Sequence, residues 1–194
     1  MTAQVPVELW LVRHGETEWS RSGQHTSVTD LELTPDGEAV ATTLAGPLSH
    51  VDFVQVLTSP RRRARRTAEL AGFAGAKPEA DLAEWAYGDY EGLTTPQIHE
   101  TDPDWTIWTH PSPGGETADE VGARLDRVVA RARAVEGRTL VFAHGHSLRV
   151  LAARWLGLGV EDGRIFELDT ATISLLTDDR GTPVVKRWNV STSH

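Results

Sequence analysis

The sequence has no cysteine, one methionine and only two lysines, Lys77 and Lys186, in 194 residues. Without cysteine there are no disulfides, no thiolate nucleophile and no cysteine-rich zinc site, so covalent chemistry needs another nucleophile. No run of 18 apolar residues occurs, which excludes an expected membrane-spanning helix. Met1-Thr2-Ala3-Gln4 enters an apolar stretch without a basic segment and leader-type core, so a cytoplasmic location is expected. Positive charge is scarce as well: 19 Lys plus Arg stand against 28 Asp plus Glu, for a formal net charge of −9. That balance argues against nucleic acid or an anionic membrane as partner. The positive charge present is nearly all arginine, which grips phosphate through paired N–H groups as lysine cannot.

Hydrophobic residues make up 39% of the chain, enough for a substantial core, and a single domain over 1–194 is expected. Residues 7–12 form a short apolar run, read as a buried strand. Thr34-Pro35 opens a helix, with Thr34 as N-cap, and Gly46-Pro47 is expected to stop it near Ala45. A second strand covers 53–58. Ser59-Pro60 then caps a helix from Arg61 to Leu70. Periodicity fades from Ala76 to Ser112, and an irregular substrate-side segment is expected at about 85–116. Thr117-Ala118-Asp119-Glu120 is a capping box for a helix to about Val135. A third strand covers 139–143, a helix 147–156, and two tail strands at 172–177 and 184–188 form a hairpin around Asp178-Asp179-Arg180-Gly181. Alternation of strands and helices predicts an α/β fold, a three-layer α/β/α sandwich on a mostly parallel central sheet.

In such sheets ligands gather at the carboxyl ends of the strands. The first strand ends in Arg13-His14-Gly15, the second in Ser59-Pro60-Arg61-Arg62-Arg63, the third in His144-Gly145-His146. Glycine after each histidine would let backbone approach a ligand. Neutral imidazole is a nucleophile near pH 7, and arginines beside it stabilise charge on a transferring phosphoryl group. Each feature has a plainer reading: a turn, a solvated arginine face, or a metal pair at His144 and His146. Their coincidence at successive strand ends points to phosphoryl transfer through a phosphohistidine, without a metal.

These residues resemble the histidine phosphatase superfamily, in the branch that includes cofactor-dependent phosphoglycerate mutase. The resemblance rests on Arg13-His14-Gly15-Glu16-Thr17, on the 59–68 block with Arg63, on Leu82-Ala83-Glu84 with Gly88-Asp89-Tyr90-Glu91-Gly92, on Gly114-Gly115-Glu116-Thr117 and on Val141-Phe142-Ala143-His144-Gly145. Within the family, Glu84 to Gly92 and Phe142 to Arg149 look most like the sedoheptulose-1,7-bisphosphatase-like and broad-specificity members. The resemblance implies His14 as nucleophile, Arg13, Arg63 and His144 as phosphoryl ligands, and Glu84 as proton donor. A carboxyl in that role should be partly desolvated, with Trp85 and Tyr87 as an apolar wall. It also implies substrate contacts from Ser20, Gln24, His25, Thr26 and Gly145. Glu116 either contacts the phosphate-site histidines or shapes the turn.

The expected activity is hydrolysis of a small phosphorylated metabolite, such as a sugar phosphate or bisphosphate, with no cofactor. The alternative is a cofactor-dependent phosphoglycerate mutase. Many mutases of the family place Asn six residues after the nucleophile, where this chain has Ser20, and usually carry a longer insertion after the acid. A noncatalytic phosphate-binding protein on the same fold would have lost one of the five catalytic residues, and all five are present.

Overall fold

The computed structural model describes residues 7–192, so the Met1–Gln4 leader reading lies outside the described residues. Six strands form one sheet: β1 (Glu8–Arg13), β2 (Gln55–Thr58), β3 (Lys77–Pro78), β4 (Arg138–Ala143), β5 (Thr172–Asp179) and β6 (Thr182–Ser191), in the order β3-β2-β4-β1-β5-β6. The four strands from β3 to β1 pair in parallel, while β5 is antiparallel to both β1 and β6. The mostly parallel sheet expected from the sequence is therefore present, edged by the expected tail hairpin.

Seven helices accompany it: α1 (Glu18–Ser22), α2 (Pro35–Thr43), α3 (Ala45–Leu48), α4 (Arg62–Leu70), α5 (Thr95–His99), α6 (Ala118–Arg133) and α7 (Gly145–Trp155). The period-2 alternation of the central strands assigns them to two faces. Leu9 and Leu11 of β1 and Val141 and Ala143 of β4 join the core under α6 and α7. Val12, Leu140 and Phe142 turn the other way, onto Ala41, Leu44 and Ala68 of the α2 and α4 side. Both sheet faces are thus buried, which accounts for the near-continuous apolar runs of β1 and β4.

Two expected boundaries differ. Gly46-Pro47 does not stop the chain's helical course but lies inside α3. Pro47 is third in that helix, where the missing N–H would have had no intrahelical partner anyway. Ser59 is not a helix cap: Arg61 occupies the N-cap of α4 without any side-chain cap bond. Thr34 and Thr117 do cap as expected, accepting from Gly37 N and Glu120 N. The short helix α1 was not expected, because it is five residues long and carries no amphipathic repeat, whereas α5 falls in the irregular 76–112 stretch where short helices were expected.

Candidate active site

The ends of β1 and β4 lie side by side, with Arg13 opposite Ala143 and the His14 amide donating to the Ala143 carbonyl at 2.9 Å. His14 and His144 therefore leave adjacent strands together, and their rings stand 5.2 Å apart, edge to face. His14 Nδ1 lies 2.7 Å from the Gly15 carbonyl oxygen. A carbonyl only accepts, so Nδ1 carries the proton and Nε2 holds the free lone pair. Burial, then the charges of Arg63 and Arg13, push the His14 pKa well below the usual imidazole value, so the ring is neutral.

Arg63 is the one arginine of its run that turns fully inward. Its Nε donates to His144 Nδ1 at 3.2 Å, and its terminal nitrogens donate to the carbonyls of Thr29, Thr26 and Ser27. His144 then has Nε2 protonated and donating to Ser59 Oγ at 2.7 Å. Ser59 thus serves the histidine rather than the helix. Neither His144 nor Arg63 lines the open cavity; both stand behind His14, completely buried. Burial and the Arg63 charge hold His144 neutral too. The loop carrying His14 is tied to α4, since Gly15 N donates to Thr67 Oγ1 at 3.0 Å. Gly15 is required there for packing rather than for a ligand: a Cβ would stand 2.7 Å from the Gly37 carbonyl oxygen.

Glu84 reaches the same place from the opposite side. Its Oε1 accepts from Trp85 N at 2.9 Å and Ser147 N at 2.8 Å, and its Oε2 accepts from His146 N at 3.1 Å. The carboxylate therefore caps the N-terminus of α7, where backbone N–H groups and the helix dipole favour it. With one amide on it, Oε2 keeps a lone pair free for a proton. At 7% exposure the group is largely desolvated.

Between His14 and Glu84 opens a cavity of about 190 Å³. Arg13, Ser20, Gln24, His25, Thr26, Tyr87 and Gly145 all line it, as the sequence suggested. Arg13 donates from Nη1 to the Leu168 carbonyl at 2.5 Å, while its buried Nε has no partner. Ser20 is committed locally, exchanging bonds with Thr17 in a capping box. Trp85 departs from expectation: its ring is buried against Trp108, its Nε1 donates to the Glu116 carbonyl, and it does not line this cavity. Among the described residues, no group of three or more His, Asp or Glu is placed to hold a metal ion.

A free imidazole nitrogen, arginines behind it and a carboxyl across from it form a constellation for moving a phosphoryl group. The sequence of residues 9–191 matches the profile of the histidine phosphatase superfamily, branch 1. The chain belongs to this family. It is 45% identical over 178 residues to an acid phosphatase of Mycobacterium tuberculosis, covering 89% of this chain and 87% of that protein. It is 40% identical over 188 residues to a sedoheptulose 1,7-bisphosphatase of Saccharomyces cerevisiae, covering 78% and 68%. A solved structure of a Mycobacterium tuberculosis open reading frame superposes with a TM-score of 0.92 at 40% identity, over 96% of this chain and 98% of that one. The protein is a phosphatase of the histidine phosphatase superfamily.

The sequence offered His146 only as half of a metal pair and assigned Arg149 no role, yet both line the cavity from the first turns of α7. Tyr87 Oη and His146 Nδ1 are 2.6 Å apart, and the Arg149 guanidinium lies over the Trp108 ring at 4.6 Å. Burial and the Glu84 charge push the Tyr87 pKa well above its usual value, so the phenol keeps its proton and donates to His146. His146 is itself held neutral, by burial and then by Arg149. Its Nε2–H is therefore the nitrogen left for a ligand. Glu91 supports the Arg63 side: it accepts from Ser27 N at 2.8 Å and Thr29 N at 3.0 Å, fixing the loop whose carbonyls hold Arg63. Burial works to raise the Glu91 pKa, but these bonds prevail and leave it lowered. Glu116 touches neither phosphate-site histidine; its carboxylate pairs with Arg124 and accepts from Ala86 N. The 88–91 signature pointed at Glu91 only as part of a block, and nothing pointed at Arg124.

Proposed function

We propose that this phosphatase hydrolyses a small phosphorylated metabolite, of the sugar phosphate or bisphosphate class, through a phosphohistidine on His14. The observation that carries the reading is the His14 tautomer: Nδ1 is tied to the Gly15 carbonyl, so Nε2 meets the cavity as a lone pair. In the first step that lone pair attacks phosphorus, the bond to the leaving oxygen breaks, and the Glu84 carboxyl gives its proton to that oxygen. In the second, the Glu84 carboxylate takes a proton from water as the water oxygen attacks phosphorus. The P–N bond breaks, phosphate leaves, and His14 regains its lone pair. Arg13 and, from behind, the Arg63 guanidinium balance charge on the phosphoryl oxygens, while neutral His144 orients Arg63 through its Nε.

The substrate class is supported by the far wall. His25, Tyr87 and His146 offer polar edges on aromatic faces, suited to a hydroxylated carbon skeleton, and Arg149 adds a second cation for a second anionic group. The yeast relative, named for a sugar bisphosphate, agrees with that reading. Phosphate release from a panel of phosphorylated metabolites, ranked by kcat/KM with chelator present, tests it. Sugar phosphates and bisphosphates should head the ranking with activity intact. Loss of activity to chelator, or rapid isomerisation of a bisphosphoglycerate-primed phosphoglycerate with little phosphate release, would reject it.

A further inference from the structure

Arg124 lies on the inward face of α6, and all five of its guanidinium N–H groups are used. Nε and Nη2 donate to the two carboxylate oxygens of Glu116, at 2.8 and 2.9 Å. Nη1 donates to the carbonyls of Asp81 and Ala83 at 2.7 and 2.8 Å, and Nη2 also reaches the carbonyl of Glu84 at 3.2 Å. Glu116 Oε2 in turn accepts from Ala86 N at 2.9 Å. The peptide carrying Glu84 is therefore gripped on both sides, by its own carbonyl and Ala83's before it and by an amide just after it. Only a planar fork with five donors satisfies this set; lysine has three donors at one point.

The same helix also holds this segment by ordinary means. Arg127 pairs with the Asp81 carboxylate and Arg131 with Glu79, both arginines being at least half exposed. Those pairs fix the start of the segment to α6 and stop short of 83–86. Surface pairs of that kind contribute little. Arg124 and Glu116 reach the residues that set the carboxyl's direction, and neither lines the substrate cavity.

We infer that Arg124 and Glu116 form a positioning pair for the proton donor, holding the Glu84 peptide so that its carboxyl points at the leaving oxygen. This rests on Glu84 being the acid. Misplacement of a reacting group by about 1 Å can cost roughly 10²-fold. In the phosphorylation step, which kcat/KM reports, the cost should fall on substrates whose leaving oxygen needs a proton.

The test compares an alkyl phosphate with nitrophenyl phosphate for wild type, Arg124→Lys, Glu116→Gln, Glu84→Gln and Arg127→Ala. The ratio of the two kcat/KM values is independent of how much of a preparation is folded, so partial unfolding of one variant does not blur it. Arg124→Lys and Glu116→Gln should lower kcat/KM for the alkyl phosphate about 10- to 100-fold and for nitrophenyl phosphate by less than about 3-fold. Arg127→Ala should leave the ratio at the wild-type value. Adding Arg124→Lys to Glu84→Gln should cost the alkyl substrate almost nothing further, because the acid is already gone. Equal losses on both substrates, with the split still present in Glu84→Gln, would reduce the pair to a structural brace and overturn the inference. If Glu84→Gln itself shows no split, the acid assignment fails first and the positioning role falls with it, a result distinguishable from the other.

Discussion

At the sheet end of the cavity, His14 and His144 leave paired parallel strands, and each ring has a defined tautomer set by a carbonyl, a guanidinium or a hydroxyl. At the far end, Tyr87 comes from a connection built of short turns, such as the 3-10 turn Gly88–Tyr90; it meets His25 from another loop, which in turn packs on Trp105, and Trp108 packs on His146. The near end is buried and hydrogen-bonded on all but the atoms that face the cavity or, like Arg13 Nε, lack a partner; the far end is a set of aromatic edges. The two histidines of the near end stand at strand ends, whereas Glu84, His25 and Tyr87 come from connections, where sequence can change without disturbing the sheet.

Breaking the near end should have the largest effect. His14→Ala removes the only nucleophile in this scheme, so turnover and the acid-labile phosphoenzyme should both vanish, as checked by phosphate release and by intact mass after acid-free quenching. Glu84→Gln keeps the shape but can neither give nor take the proton, and in kcat/KM, which reports the phosphorylation step, it should cost alkyl phosphates about 10²- to 10⁴-fold and nitrophenyl phosphate much less. Disturbing the far end should be gentler. Tyr87→Phe deletes one hydrogen bond to His146, worth about 1 kcal/mol, so kcat/KM for the preferred metabolite should fall about 2- to 10-fold with nitrophenyl phosphate almost unaffected. A change that strikes all substrates alike would erase the contrast between the two ends.

Acid offers a milder probe of both. His14, His144 and His146 all have pKa values pushed well below normal, with burial the leading cause. Each stays neutral in the folded chain but takes a proton in the unfolded chain near pH 6.5. Stability should therefore be intact above about pH 6.5 and decline as pH falls from there toward the lowered folded values. The slope is at most about 1.4 kcal/mol per pH unit for each histidine. Thermal melts from pH 7.5 to 5 check this, and His146→Phe should flatten the slope by one histidine's share. The acid limb of kcat/KM should likewise lie below 6.5, since His14 keeps its lone pair there.

The near end was legible in the sequence because strand and functional tripeptide coincide: an apolar run stops, and Arg13-His14-Gly15 or His144-Gly145-His146 follows at once. Period-2 burial of β1 and β4 made the sheet readable for the same reason. Less visible was which arginine of 61–66 turns inward. Arg62 pairs with Glu32 and Arg66 with Glu38 at the surface, while Arg63 is buried, and helical phase alone could not choose among them without the position of the sheet. Arg124 was hidden more deeply. In an arginine-rich helix it looks like a solvated residue, and its partners are mostly backbone carbonyls, which carry no side-chain signal. Trp85 was misplaced because its Nε1 is drawn to the Glu116 carbonyl and its ring to Trp108, contacts across the fold that adjacency to Glu84 in sequence does not reveal.

The pairing of Arg13 with Ala143 carries a consequence for how this enzyme comes into being. A slip of one residue between β1 and β4 would leave most backbone bonds available yet turn His14 away from His144 and out of reach of Glu84. Activity is thus a strict reporter of strand alignment. In a refolding experiment, regain of turnover should trail regain of far-ultraviolet ellipticity by the time the central strands take to find their native alignment.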